Sequence, residues 1–140
     1  MPKATTKSLA GPKPVDEKIT INLGCVDLGQ IDLLVQEGFY ANRSDLIRTA
    51  IRSQLAAHGD AVRQAVVRKT LVLGIQHYTR QDLEAVRAEG KTLQIRVLGL
   101  ATIDPAVTPE LALATIESVT VLGALQASPA VKAALKQRIR

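Results

Sequence analysis

The chain has 140 residues, a formal net charge of +5 and a pI near 9.7, and 46% of its residues are hydrophobic although it holds only one Phe and two Tyr. This length allows one ordinary domain or two small ones, and the apolar content excludes a chain that is disordered throughout. The positive charge favours an acidic partner such as nucleic acid. The scarcity of aromatic residues counts against surfaces that stack single-stranded bases.

The single cysteine, Cys25, excludes an intramolecular disulfide and favours a reducing, cytoplasmic location. No apolar run approaches the roughly 20 residues that cross a bilayer, and the first 14 residues lack the apolar block of a secretion signal. Residues 1–15 carry three lysines, three prolines and no acid. They are predicted to form a flexible basic tail.

The first ordered element is predicted around residues 17–23, where polar and apolar residues alternate with the period of a strand that has one buried face. Gly24 ends this strand, and apolar residues then recur at helical spacing until Gly38. A second helix is predicted from Asn42, the N-cap residue, with Asp45 three positions later. The sequence therefore predicts a β-α-α unit.

The second half of the chain repeats the tripeptide Val-Leu-Gly at 72–74, 97–99 and 121–123, about 24 residues apart. Each copy is predicted to be a strand, and Thr79, Thr108 and Ser128 are predicted to begin the helices that follow. Residues 67–140 are thus expected to form three strand–helix units with a small parallel sheet. The units resemble a leucine-rich repeat, and an ordinary three-stranded α/β domain would give the same pattern.

The N-terminal strand has no partner in its own module, because two helices follow it and no second strand does. Backbone N–H and C=O groups of a strand need hydrogen-bond partners. A second copy of the chain can supply them, since two such strands pairing antiparallel would form a ribbon. Its apolar face would rest on the helices and its polar face would be free.

The segments KITINL, VQEGFY and ANRSDLIRTAIR together resemble the ribbon-helix-helix family, which includes the CopG, Arc and methionine repressors, over about residues 16–57. This resemblance implies an intertwined homodimer whose β-ribbon enters the DNA major groove. The expected fold is a two-part α/β chain: a tail at 1–15, the ribbon-helix-helix module at 16–58, a linker at 59–66 and the strand–helix domain at 67–140.

The resemblance implies that Lys18, Thr20 and Asn22 read base edges, and their donor and acceptor groups suit that role. The alternative is that they form the solvent face of a strand. The resemblance also implies that residues at the start of the second helix contact phosphates: Asn42, Arg43 and Ser44. The alternative is that these residues serve only as helix caps or surface groups. The expected dimer core comprises Ile19, Ile21, Leu23, Ile31, Leu34, Val35, Leu46, Ile47, Ala50 and Ile51.

The expected function is a sequence-specific, double-stranded DNA-binding transcriptional regulator, a nucleoid-associated homodimer or higher oligomer with a possible protein partner at residues 67–140. The alternative is an assembly protein, including the antitoxin type, whose N-terminal module mainly dimerises. No catalytic residues, membrane contact or cofactor are expected, because the chain has two histidines and one cysteine and no phosphate-binding loop. A nickel-responsive regulator would need more metal ligands than His77 supplies.

Overall fold

The computed structural model describes residues 16–140, so the predicted basic tail lies outside the described residues. The elements in chain order are α1 (Cys25–Gln36), α2 (Arg43–Ala57), α3 (Gly59–Lys69), β1 (Val72–Tyr78), α4 (Arg80–Ala88), β2 (Leu93–Ile103), α5 (Pro109–Thr115), β3 (Ile116–Gln126) and α6 (Pro129–Ala134). Within residues 16–140, no helix combines the length and the hydropathy needed to span a bilayer.

The N-terminal module contains its two predicted helices, but the predicted strand is not part of a sheet in the single chain. Residues 16–24 are neither helical nor paired with any described strand. A strand is defined by its ladder of hydrogen bonds, and one copy of the module offers no neighbour to complete it. The β-α-α unit is therefore incomplete within one protomer.

The segment expected to link the two parts, residues 59–66, is helical and belongs to α3. Asp60 in the first turn and two cations in the last turn, Arg68 and Lys69, complement the helix dipole. Thr70 adopts a left-handed conformation at φ 56° and ends the helix. Because His58 is both the C-cap of α2 and the N-cap of α3, the expected linker is a helix that follows α2 directly.

The small parallel sheet predicted for the second half is confirmed. Its order is β1-β2-β3, and equivalent positions of the three units lie side by side, with Val72 opposite Val97 and Val97 opposite Val121. The predicted helix starts are confirmed too, since the side chains of the three N-cap residues each accept a backbone hydrogen bond: Thr79, Thr108 and Ser128. The units therefore stack in register.

The hydrophobic core lies between one face of the sheet and helices α4–α6. Among residues 16–140, all buried residues fall between Leu83 and Leu135, so the N-terminal module contributes none. The C-terminal segment covers part of the outer edge of β3, where Ile139 bridges Val119 in parallel. Among residues 16–140, no helix lies on the opposite face of the sheet, where Leu73, Ile75 and Leu122 are exposed and Leu100 is buried.

Candidate DNA-binding face

The extended segment 16–24 carries two sets of side chains that alternate along the backbone. Lys18, Thr20 and Asn22 are exposed. Between them, Ile19 is 75% exposed and Ile21 is 62% exposed, although both are large and aliphatic. A lone extended segment with one polar side and one unburied apolar side is what a single strand of a two-chain ribbon requires.

The residues expected to form the dimer core are not buried in one protomer. Helices α1 and α2 have no buried residue, and the expected core positions within them are half-buried or exposed: Ile31, Leu34, Val35, Leu46, Ile47, Ala50 and Ile51. Leu23 is also exposed. A soluble protein rarely leaves so many neighbouring apolar side chains in water unless another surface covers them.

The expected dimer core left out several members of this apolar surface, among them Leu33, Phe39 and Leu55, which are 54%, 70% and 61% exposed. Helical spacing does place Leu55 on the same face of α2 as Ile51, four residues before it. Phe39 lies in the turn between the helices, where no periodicity applies. The apolar surface is therefore larger than the set that the alternating and helical patterns picked out.

The start of α2 is fixed by two side chains that exchange hydrogen bonds with the backbone. The Asn42 side chain accepts a bond from the Asp45 N–H at 2.8 Å, so Asn42 is the N-cap as the sequence predicted. The Asp45 carboxylate in turn accepts from the Ala41 N–H at 2.9 Å. In residues 16–140 the backbone N–H groups of Arg43 and Ser44 have no such acceptor. They remain available to an anion at this helix end.

Arg43 forms a bidentate ion pair with a residue of α1, and no local sequence pattern predicted this pair. Its Nε donates to Oδ1 of Asp32 at 2.7 Å and its Nη2 donates to Oδ2 at 2.8 Å. This hydrogen bond lowers the pKa of Asp32 and raises that of Arg43. The pair joins α1 to the start of α2, and it leaves Nη1 of Arg43 free of Asp32.

The six predicted contact residues thus form two groups in this structure. Asn42, Arg43 and Ser44 meet at one helix end, and the triplet Lys18, Thr20 and Asn22 lies along the extended segment. Within residues 16–140, no hydrogen bond or ion pair joins the two groups. Their roles as base-reading and phosphate-binding residues stay predictions.

Other polar clusters in the described chain are sparse. Among residues 16–140, no group of three or more His, Cys, Asp or Glu side chains is placed to hold a metal ion. His77 is hydrogen-bonded through Nδ1 to the hydroxyl of Thr102, on the face of the sheet opposite helices α4–α6. A shallow cavity of about 460 Å³ is lined by Thr70, Val72, Tyr78, Gln94 and Arg96. These residues do not include a nucleophile paired with a base.

One comparison with known proteins, against models of protein families, found a match. No curated protein and no solved structure is significantly similar to the chain. The family model described as the ribbon-helix-helix transcriptional regulator family matches residues 14–132. The match includes the extended segment, all three N-terminal helices and the sheet, well beyond the residues 16–57 that carry the motifs. The chain therefore belongs to the ribbon-helix-helix family of DNA-binding transcriptional regulators.

Proposed function

We propose that this protein is a sequence-specific, double-stranded DNA-binding regulator and not an enzyme, acting as a homodimer through a β-ribbon in the major groove. The observation that carries the proposal is the extended, unpaired segment at residues 18–23. Among residues 16–140, no strand pairs with the backbone of this segment, and its three polar side chains lie on one side. Pairing with the same segment of a second copy satisfies the backbone of both.

The exposed apolar surface supports such a dimer. Ile19 and Ile21 would turn onto the helices once two segments pair, and the exposed side of α1 and α2 would receive them. Fully burying a Leu or Ile side chain contributes about 1.5–3 kcal/mol. The several side chains of this surface together supply enough to offset the cost of association.

The polar side of the ribbon would then read bases. Lys18 can donate to guanine O6 and N7, Asn22 can bind adenine through two hydrogen bonds, and Thr20 can hydrogen-bond or touch a thymine methyl group. Two antiparallel copies place six such side chains in one groove, and the two-fold symmetry of the dimer calls for a site with related half-sites.

The start of α2 would hold the DNA backbone. The free N–H groups of Arg43 and Ser44, the positive end of the helix dipole and the uncommitted Nη1 of Arg43 all favour a phosphate there. Asn42 contributes by fixing the helix start. Phosphate contacts set the position of the ribbon on the duplex, and the ribbon side chains select the sequence.

Replacing Lys18, Thr20 and Asn22 together by Ala tests this proposal. The matched control is Lys132→Ala, which removes one positive charge from an exposed position of helix α6. Selection of sites from random DNA should give a clear motif with the wild type and the control, and none with the triple variant, while all three stay dimeric by light scattering. Wild-type affinity should fall steeply with salt. An unchanged motif in the triple variant would refute the assigned role.

A second candidate, an assembly or antitoxin-type protein whose N-terminal module mainly dimerises, is favoured by one observation: the open aliphatic face of the sheet. Both roles can coexist in one chain. They are separated by DNA selection, because an assembly protein without DNA-binding function would enrich no motif.

A further inference from the structure

The C-terminal sheet is covered by helices on one face only. Alternate residues of β2, such as Ile95 and Val97, point into the core against α4–α6. Those of opposite parity lie on the other face. Parallel sheets are found almost exclusively with both faces covered, and their strands are apolar on both faces as a result. Residues 16–140 of one protomer therefore supply only half of the cover that such a sheet has.

The uncovered face is aliphatic at its centre. Leu73 is 69% exposed, Ile75 is 61% exposed and Leu122 is 49% exposed. Leu100, on the central strand, is only 6% exposed, and it lies outside the core cluster. The in-register stacking of the units puts Leu73, Leu98 and Leu122 in one row and Ile75 and Leu100 in the next. These residues, here called the open face, form one continuous patch.

We propose that the open face binds the same face of a second copy of this chain. Three strands at about 4.8 Å spacing and seven residues at about 3.3 Å each give a footprint of about 300 Å². A stable interface between two independent proteins needs about 800 Å² from each partner. The open face is thus too small to hold an independent partner tightly and suits a partner that another contact already keeps near.

The N-terminal module supplies that other contact. Ribbon-helix-helix dimerisation brings copies of the chain together, and each copy carries an open face; for this step alone the inference rests on the proposed function. The charge of the open face also fits self-association. Its charged neighbours are Arg96, which donates from Nη1 to the Lys69 carbonyl at 3.0 Å, and Glu117, which accepts a hydrogen bond from Nε2 of Gln94 at 2.8 Å. These two groups have opposite charges, so two copies can meet through their aliphatic centres without an excess of like charge. DNA, the acidic partner, would find little there to bind.

Site-directed cross-linking of the purified full chain tests this pairing. On a Cys25→Ser background, Leu98→Cys places a thiol on the central strand of the open face, close to the two-fold axis of a symmetric pair. Leu113→Cys is the matched control, because that leucine is 42% exposed on α5, on the opposite side of the sheet. A short bismaleimide should join two chains of the Leu98→Cys variant at least ten-fold more efficiently than two chains of the Leu113→Cys variant.

A second variant shows whether the aliphatic patch is responsible. Adding Leu73→Glu and Ile75→Glu should lower the cross-link at position 98 at least ten-fold and leave the circular dichroism spectrum unchanged, because both side chains are exposed in one protomer. Equal cross-linking at positions 98 and 113, or a cross-link at position 98 that survives the two glutamates, would overturn the inference. So would a thiol at position 98 that is shielded from a monofunctional maleimide but forms no cross-link, since the chain itself would then cover the face.

Site selection on the same wild-type protein keeps this inference separate from the DNA-binding proposal. A protein that cross-links through position 98 but enriches no DNA motif contradicts only the proposed function. A protein that enriches a motif but does not cross-link contradicts only the pairing of open faces.

Discussion

The three glycines of the Val-Leu-Gly repeats lie side by side across the sheet, and replacing them one at a time by Ala should have unequal effects. Gly74 pairs with Gly99, and Gly99 pairs with Gly123. All three have positive φ angles, of 124°, 139° and 122°. A side chain is strained in this region, at a cost of about 1–3 kcal/mol. That cost is common to the three positions.

The space around each glycine differs. A Cβ on Gly99 would lie 2.2 Å from the carbonyl oxygen of Gly74, and a Cβ on Gly123 would lie 2.0 Å from that of Gly99. Both obstacles are backbone atoms of the neighbouring strand, so strands would have to separate and weaken ladder hydrogen bonds worth about 0.5–1.5 kcal/mol each. A Cβ on edge-strand Gly74 meets nothing within 4 Å. Gly74→Ala is therefore the matched control.

Urea unfolding of the full chain, followed by circular dichroism at one protein concentration, measures the difference. Gly74→Ala should destabilise the sheet domain by about 1–3 kcal/mol, the conformational term alone. Gly99→Ala and Gly123→Ala should each cost about 4–6 kcal/mol, a large part of the roughly 5–15 kcal/mol that a domain possesses. Equal losses at positions 74 and 99, or losses under about 1 kcal/mol at all three, would refute the close approach of the strands.

The remaining predictions concern the helix caps, the ion pair and the N-terminal module. The folded-state pKa of Asp32 lies below its usual value near 3.8, because Arg43 donates to its carboxylate. The ion pair should therefore stabilise the module above about pH 4 and lose that effect as the pH falls through the lowered pKa. Arg43→Gln should raise the pKa of Asp32, as measured by carboxyl NMR titration. Thr79→Ala should remove the hydroxyl half of the capping box of α4 and cost about 0.5–2 kcal/mol in urea unfolding, and an unchanged free energy of unfolding would contradict the cap. The pKa of Asp82 should rise only in part, because the backbone N–H of residue 79 still donates to its carboxylate. The unfolding midpoint of residues 16–70 should rise with protein concentration, and a concentration-independent midpoint would argue against a core shared between chains.

Much of this fold could be predicted because its signals are local. Each N-cap side chain accepts a hydrogen bond from the backbone N–H three residues later, so the cap depends only on neighbouring residues. This holds for Asn42, Thr79, Thr108 and Ser128. The Val-Leu-Gly repeats showed the strands because alternation and spacing are sequence properties. The parallel pairing followed from the helix between each two strands.

What the sequence could not show depends on contacts between distant residues. The Asp32–Arg43 pair joins two helices across a turn, and neither residue has a distinctive neighbour pattern. The alignment of Gly74, Gly99 and Gly123 depends on strand register, which the repeat length suggests but only pairing defines. Residues 59–66 of α3 were expected to be a linker, because Gly59 ends the helical pattern of α2.

The two halves of the chain differ in where their cores come from, and this difference bears on regulation. Leu83, Ile95 and Val131 are buried by the C-terminal domain itself, so that domain has its own stabilising core. Residues 16–70 bury no side chain fully in one protomer. In the proposed dimer their apolar surface becomes a shared core, and the ribbon that reads DNA exists only there. Folding of the DNA-binding module, dimerisation and occupancy of DNA are then one coupled equilibrium. Occupancy must therefore rise more steeply with protein concentration than simple one-to-one binding would give, and pairing of the open faces would steepen it further.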